Sequence, residues 1–328
     1  ELGWCYIDQS RHDIALDSLK SGLVIGKKFL GDDHNEVLSN LSNTSGLYRV
    51  MGDYEKSIQL LTLIMEKDIK KYSPFHLIVA ADYNNIGLTY SDMADYDIAI
   101  TYYEQALRIA LPAFGEKHIK IAFTYNNIGN AYLHKKEFTK ALENYNKSIE
   151  IFENVFGKPN SVCAATYDNM GLAYRLLKQY DASLFYAKKG FELRSLSYNP
   201  MHAELALSYE HLGGIYFELG NDSLALFYLH KALDIVKYNF GTMHPIIGKI
   251  NSSLGRIYYE KALQQKSGAH YFDESLNYYQ MALKAFSDKY RFEDIYSNPV
   301  LSNKIISSTF LEAIEGKAVV LFKKWERK

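Results

Sequence analysis

Five histidines recur at a spacing that calls for a test of metal binding. They share one grid of 42 residues, with Asn160 at the missing place: His34, His76, His118, His202 and His244. A zinc site needs about four ligands, each roughly 2.0–2.3 Å from the ion. One histidine per 42 residues leaves the imidazoles too far apart to share an ion. We therefore predict no metal site, and we interpret each ring as one that caps or packs a turn.

The two cysteines do not indicate nucleophilic chemistry. Cys163 lies in Val-Cys-Ala-Ala and Cys5 lies in Gly-Trp-Cys-Tyr, and both contexts are typical of packed helix. Apolar burial raises the pKa of a thiol and makes it inert. The sequence also lacks a HExxH pattern, a phosphate-cradling glycine loop and a Gly-x-Ser-x-Gly elbow. We predict that the chain is not an enzyme and holds no cofactor.

Asparagines are the best candidates for a binding role: Asn43, Asn84, Asn85, Asn126, Asn127, Asn130 and Asn169. A carboxamide both donates and accepts hydrogen bonds, so a row of them can bond an extended peptide in place of a neighbouring strand. Four cations are expected to project from nearby turns and to select acidic side chains or a carboxylate: Arg49, Arg175, Lys249 and Arg256. The alternative is that the asparagines bond adjacent helices and stabilise their stacking.

An internal repeat supplies the elements that position these residues. Tyr-Asn-Asn-Ile-Gly occurs at 83–87 and at 125–129, and Tyr-Asp-Asn-Met-Gly follows at 167–171. The step of 42 residues extends in both directions and gives Gly3, Ser45, Gly87, Gly129, Gly171, Gly213 and Gly255. A tyrosine stands three residues after each of these positions. Such a fixed period predicts an array of structural repeats.

The spacing inside each repeat predicts a pair of helices. Tyr83, Ile86, Gly87 and Tyr90 fall at i, i+3, i+4 and i+7, which is one face of a helix. A turn follows at 94–95, and a second helical pattern opens at Tyr96. The glycine is expected to face a small residue of the second helix and to let the two helices approach closely. The periodic tyrosines are expected to fill the groove between helices.

The pattern Gly87, Tyr90, Tyr96, Ala99 and Ala106-Leu107 resembles the tetratricopeptide repeat. The 42-residue length is similar to that of kinesin light chains, as are the Asn-Asn-hydrophobic-Gly core and the connectors at 115–118 and 241–245. The resemblance implies an all-α solenoid, a right-handed superhelix of about seven helix pairs. It also implies that the first helix of each pair lines a concave groove, where asparagine at the matching position grips a peptide backbone.

Seven tandem units are predicted over 1–290. Their bounds are about 1–37, 38–79, 80–121, 122–163, 164–205, 206–247 and 248–290. The seventh unit carries about eight extra residues near 264–271, which predicts longer helices or an inserted loop.

Beyond the array, residues 291–328 are predicted to form a linker and a C-terminal helix, the start of a further truncated repeat. Asn298-Pro299 should interrupt helix, and a helix is expected from about Ser302, with Phe310, Leu311, Ile314, Ala318 and Leu321 on one side. The segments 295–301 and 311–318 resemble the junction in bacterial proteins whose repeats precede a CHAT domain, a caspase-like protease. That resemblance implies a sensing or regulatory arm whose catalytic domain lies outside this chain.

Charge and composition narrow the classes of partner. Thirty-seven basic and 38 acidic residues give a net charge of −1, without the basic stripe that nucleic-acid binding requires. No run reaches the ~18 apolar residues that would span a bilayer, and the expected compartment is the cytoplasm. We predict a non-catalytic scaffold that binds a protein or peptide in its groove, with no nucleic-acid or membrane partner. The alternative is an oligomerisation or intramolecular regulatory arm, whose partner is the parent's missing C-terminal domain.

Overall fold

In the computed structural model, the polar residue on the 42-residue grid begins a helix pair in each repeat. The structure describes residues 9–157, 160–242, 244–264, 269–285 and 308–326. In these ranges the regular structure is helical throughout, with fourteen α-helices and one 3-10 turn at Ser161–Cys163. The predicted all-α repeat fold is confirmed.

The helices fall into two compact units, residues 1–159 and 160–328. Unit 1 contains α1 (Gln9–Leu30), α2 (Asn35–Val50), α3 (Tyr54–Lys71), α4 (Leu77–Asp92), α5 (Tyr96–Phe114), α6 (Ile119–His134) and α7 (Phe138–Phe156). Unit 2 contains α8 (Ala164–Leu176), α9 (Tyr180–Ser197), α10 (Ala203–Glu218), α11 (Asp222–Phe240), α12 (Pro245–Gln264), α13 (Ala269–Lys284) and α14 (Ser308–Glu326). The even-numbered helices α2 to α12 are the first helices of six described pairs.

The grid histidines are helix caps, as predicted. In each case the backbone N–H two residues later donates to the imidazole Nδ1 at 3.2–3.3 Å. Asn160 does the same through its carboxamide oxygen at 2.9 Å. Four of the rings also stack on an aromatic ring at the end of the preceding helix, with centroids 3.7–4.6 Å apart: His76, His118, His202 and His244.

The periodic glycines make room for side chains as well as for backbone. A Cβ on Gly129 would lie 2.5 Å from the Tyr145 ring, whereas one on Gly171 would meet the α9 backbone at 3.2 Å. Small residues therefore explain the close approach only in part, because a tyrosine of the second helix fills the space in the third repeat. The periodic tyrosines lie between the helices, as predicted. Four of them stack on a second-helix tyrosine at 5.2–5.5 Å: Tyr90, Tyr174, Tyr216 and Tyr258.

The last repeat differs from its prediction in two ways. Only its first helix is longer, since α12 has 20 residues and α13 has 16, against 16 and 19 in the preceding pair. In α14 the side chains that pack against α12 and α13 include Phe310, Ala313 and Val320. Ile314 and Leu321 are half-buried beside them, but Leu311 and Ala318 are exposed. The predicted apolar face was therefore wrong by a rotation about the helix axis. Asn298-Pro299 and the expected start at Ser302 lie outside the described residues.

Candidate functional site

Unit 2 contains a cavity of about 560 Å³ on the side of its first helices. Side chains of α8, α10 and α12 form most of the wall, and Glu312 of α14 and Tyr279 of α13 contribute to it. Apolar side chains such as Phe217 and Ile257 alternate there with charged ones. Four cations and three carboxylates line the cavity: Arg175, Lys178, Lys249 and Arg256, with Glu210, Glu218 and Glu312. This mixture suits a ligand with both apolar and polar groups.

Two ion pairs join successive first helices across this cavity. Lys249 Nζ of α12 lies 2.9 Å from Glu210 Oε2 of α10, and Arg256 Nη2 lies 2.6 Å from Glu218 Oε1. The Arg256 guanidinium also covers the Phe217 ring, 4.6 Å from its centroid. Each of these carboxylates therefore already has a cation beside it.

Glu210 is the buried member of this group, with 3% of its surface exposed. Burial alone would raise the pKa of Glu210, but Lys249, His211 and Arg175 outweigh it and hold that pKa below its ordinary value. Glu210 is therefore a carboxylate at neutral pH. Its negative charge fixes the Lys249 ammonium at the cavity wall.

The structure brings three of the four predicted cations together. Arg175, Lys249 and Arg256 all line the unit 2 cavity, whereas Arg49 lies in unit 1 and pairs with Asp92 at 2.5 Å. All four lie within helices and not in turns, so that part of the expectation was wrong. The error arose because the first helices extend beyond the tyrosine that follows each glycine.

The predicted asparagines form two groups. Asn43, Asn85 and Asn127 occupy one position of α2, α4 and α6 and are at least partly exposed. Within the described residues their carboxamides make no hydrogen bond. The other group is held inside the protein. Asn130 accepts from the Tyr145 hydroxyl at 2.8 Å, Asn84 donates to the Ala80 carbonyl at 3.3 Å, and Asn126 and Asn169 also have interactions.

A buried charge network in unit 2 was missed by the sequence analysis. The Arg194 guanidinium of α9 pairs with Asp168 of α8, donates to Ser208 Oγ at 3.0 Å and lies 3.5 Å from Glu204. Gly190 makes room for Asp168, because a Cβ there would collide with its carboxylate. The sequence carried a signal, since the grid position of Arg194 holds apolar residues in other repeats. This network fixes α8 against α9 and α10 beneath the cavity.

Unit 1 has a different buried charge feature, also missed. Asp68 of α3 and Asp82 of α4 have only 4% and 6% of their surface exposed. Burial and then the neighbouring Asp68 raise the pKa of Asp82 to about 7. Burial also raises the pKa of Asp68, although Lys71 and His76 oppose the shift. Two carboxylates thus face each other where other repeats have apolar or hydroxyl side chains.

Within the described part of the chain, no group of three or more His, Cys, Asp or Glu side chains is placed to hold a metal ion. None of the described helices is both long and apolar enough to cross a membrane.

Comparisons with solved structures return helical repeat proteins. BtubC (BKLC) from P. vanneervenii is 19% identical over 69% of this chain and 91% of its own, with a TM-score of 0.59. A Podospora anserina chain of nearly identical, kinesin-light-chain-type TPR-like repeats is 15% identical over 63% and 98%, with a TM-score of 0.52. Cut9–Hcn1 of the APC/C is 13% identical over 96% and 49%, with a TM-score of 0.61. No curated protein matches the chain in sequence.

The family model for the tetratricopeptide repeat matches residues 41–111, 77–154, 120–195 and 162–237. These overlapping matches span more than half of the chain and coincide with the glycine–tyrosine helix pairs. The chain belongs to the tetratricopeptide-repeat family.

Proposed function

We propose that the chain binds an extended segment of a partner protein against the first helices of its repeats. The observation that carries this proposal is the cavity of about 560 Å³ between α8, α10 and α12. Pockets of roughly 300–1,000 Å³ accommodate several side chains or a small ligand. The cavity opens on the helices that carry the periodic glycine, so a bound segment lies across successive repeats.

Family and surface chemistry both support a scaffold without catalysis. Tetratricopeptide repeats generally act as protein-interaction scaffolds. Among the similar structures, Cut9–Hcn1 is a hetero-tetramer of protein chains. The asparagine column formed by Asn43, Asn85 and Asn127 offers donors and acceptors that suit a peptide backbone.

The test selects ligands from a random peptide library displayed on phage, using the full 328-residue chain as bait. Enriched peptides are then labelled with fluorescein, and their affinity is measured by anisotropy. Ser253 lines the cavity, so Ser253→Trp should fill it and weaken binding by about tenfold or more, a loss of at least ~1.4 kcal/mol. Ser195→Trp is the matched control, because Ser195 is exposed on α9 outside the cavity.

Two results would contradict the proposal. One is a library that yields no enriched peptide with the wild-type chain. The other is equal affinity of the wild type and Ser253→Trp while circular dichroism shows both to be folded. In that case the bound peptides lie elsewhere on the surface.

A second candidate is an oligomerisation or intramolecular regulatory arm of a CHAT-type protein. The outer face of α14 favours it, since Leu311, Val319, Phe322 and Trp325 are exposed there, Trp325 by 72%. Ile314 and Leu321 do not serve as probes of this face because they pack inward. Light scattering of the same protein separates the candidates: a dimer that selects no peptide favours the arm.

A further inference from the structure

Three of the four predicted cations already have a carboxylate partner. Arg49 pairs with Asp92, Lys249 with Glu210 and Arg256 with Glu218. Among the described residues, no carboxylate lies within 4.0 Å of the Arg175 guanidinium. Arg175 is therefore the cation at the cavity wall whose charge a ligand could match without first breaking an ion pair.

Gly214 explains where the Arg175 side chain lies. A Cβ on Gly214 would collide with Arg175 Nη1, so the guanidinium lies against the bare backbone of α10. The same repeat position holds Leu172 in α8 and Arg256 in α12. A glycine inside a helix costs about 1 kcal/mol relative to alanine. This cost is offset by a fixed place for a flat cation.

The charges around the cavity favour a ligand with a single negative charge. Glu210 and Glu218 are matched by Lys249 and Arg256, which leaves Arg175 and Lys178 against Glu312. A carboxylate meets this excess of one positive charge. A doubly charged phosphate would be repelled more strongly by the carboxylates that share the cavity.

We propose that Arg175, held flat by Gly214, is the anchor for a carboxylate of the bound segment. The carboxylate comes from an Asp or Glu side chain or from a C-terminus. A planar guanidinium binds either one through two parallel N–H···O bonds. This inference rests on the proposed binding of a protein segment in the unit 2 cavity.

The experiment compares two phage libraries, one that displays peptides with a free C-terminus and one that displays them internally. Enrichment of Asp and Glu in the internal library indicates a side-chain carboxylate. A motif found only at free C-termini indicates the terminal carboxylate. The wild-type chain is expected to enrich one of these two classes. Amidated and free synthetic versions of an enriched peptide confirm the source by anisotropy.

Three variants and a control test the anchor with these peptides. Arg175→Gln should weaken the acidic or free-terminus peptides by about tenfold, with no change for a matched neutral peptide. Arg175→Lys keeps the charge but loses the fork, so its loss should be smaller. Gly214→Ala should weaken the same peptides although alanine favours the helix, since it displaces the guanidinium. Lys188→Gln removes an exposed charge of α9 outside the cavity and should have no effect.

The two proposals fail in different ways. Peptides without carboxylate preference, bound equally by wild type and Arg175→Gln but lost in Ser253→Trp, would overturn the anchor and leave the binding function intact. A wild-type chain that enriches no peptide would overturn both. Tighter binding of a phosphoserine version of an enriched peptide than of its glutamate version would replace the carboxylate by a phosphate.

Discussion

At the scale of the residue, one helix position carries different chemistry in different repeats. The position of Asn84 in unit 1 is occupied by Asp168 and Glu210 in unit 2. Each of these carboxylates has gained a cation, Arg194 from α9 and Lys249 from α12. A buried carboxylate without such a partner is costly. The repeat scaffold therefore accepts a charge at this position only where another element supplies its counterpart.

Asp82 lacks such a cation, and this predicts a dependence of stability on pH. Its folded-state pKa of about 7 lies above the ordinary value of 3.8. Between these values the folded protein keeps a proton that the unfolded chain has lost, so stability falls as pH rises from about 4 to about 7. Asp82→Asn removes the ionisable group. It should stabilise the protein by about 2 kcal/mol at pH 8 and much less at pH 4.

Urea denaturation followed by circular dichroism at the two pH values checks this prediction. Asp181→Asn is the control, because Asp181 is exposed on α9. A gain that is equal at pH 4 and pH 8 would show that the effect of Asp82→Asn does not come from proton linkage.

At the scale of the element, the packing of each helix pair depends on what faces its glycines. Gly129 of α6 faces the Tyr145 ring of α7, whereas a Cβ on Gly46 of α2 would meet nothing within 4 Å. Both lie inside first helices, so alanine has the same intrinsic advantage at both. Only the environment distinguishes them.

This contrast predicts opposite effects of one substitution. Gly129→Ala should destabilise the protein by about 1–3 kcal/mol, since the added methyl group overpacks against Tyr145. Gly46→Ala should stabilise it by about 0.5–1 kcal/mol through helix propensity. Thermal melts of the two variants beside the wild type measure both changes. A stabilised Gly129→Ala would show that the Tyr145 ring moves aside freely.

Much of the helix arrangement could be predicted from sequence, because the glycine, tyrosine and histidine grid recurs in every repeat. The pairing of charges could not, because each partner lies in another repeat: Arg49 and Asp92 are 43 residues apart, and Lys249 and Glu210 are 39 apart. A search for opposite charges close to one period apart would have found both. The buried face of α14 was misassigned since Lys317, which is fully buried and bonds Gln280 at 2.6 Å, reads as a surface residue.

At the scale of the whole molecule, the two units differ in the chemistry they offer. Unit 1 has the neutral asparagine column, and unit 2 has the charged cavity with Arg175. Neutral amides bond a backbone whatever its side chains, whereas an exposed charge is screened by salt. The contribution of the first should therefore be independent of salt and that of the second should not.

The triple variant Asn43→Ala, Asn85→Ala, Asn127→Ala tests this division. It should weaken acidic and neutral peptides by a similar factor of about three to ten, at low and high salt alike. Arg175→Gln should instead abolish the salt dependence. Asn146→Ala with Asn154→Ala on α7 is the control, since both side chains are exposed on a second helix. A fall in melting temperature with unchanged affinity would assign the column to helix stacking.

The histidine connectors have a mechanical consequence. Each of the four stacked imidazoles caps the helix that follows and lies against the last turn of the helix that precedes it. Such a ring braces the joint between consecutive repeats, so that a joint cannot swivel without breaking both contacts. Under tension, each unit should behave as a spring that stores its strain along the helices and not in the joints. A ligand that bends one repeat would then be felt by its neighbours within that unit.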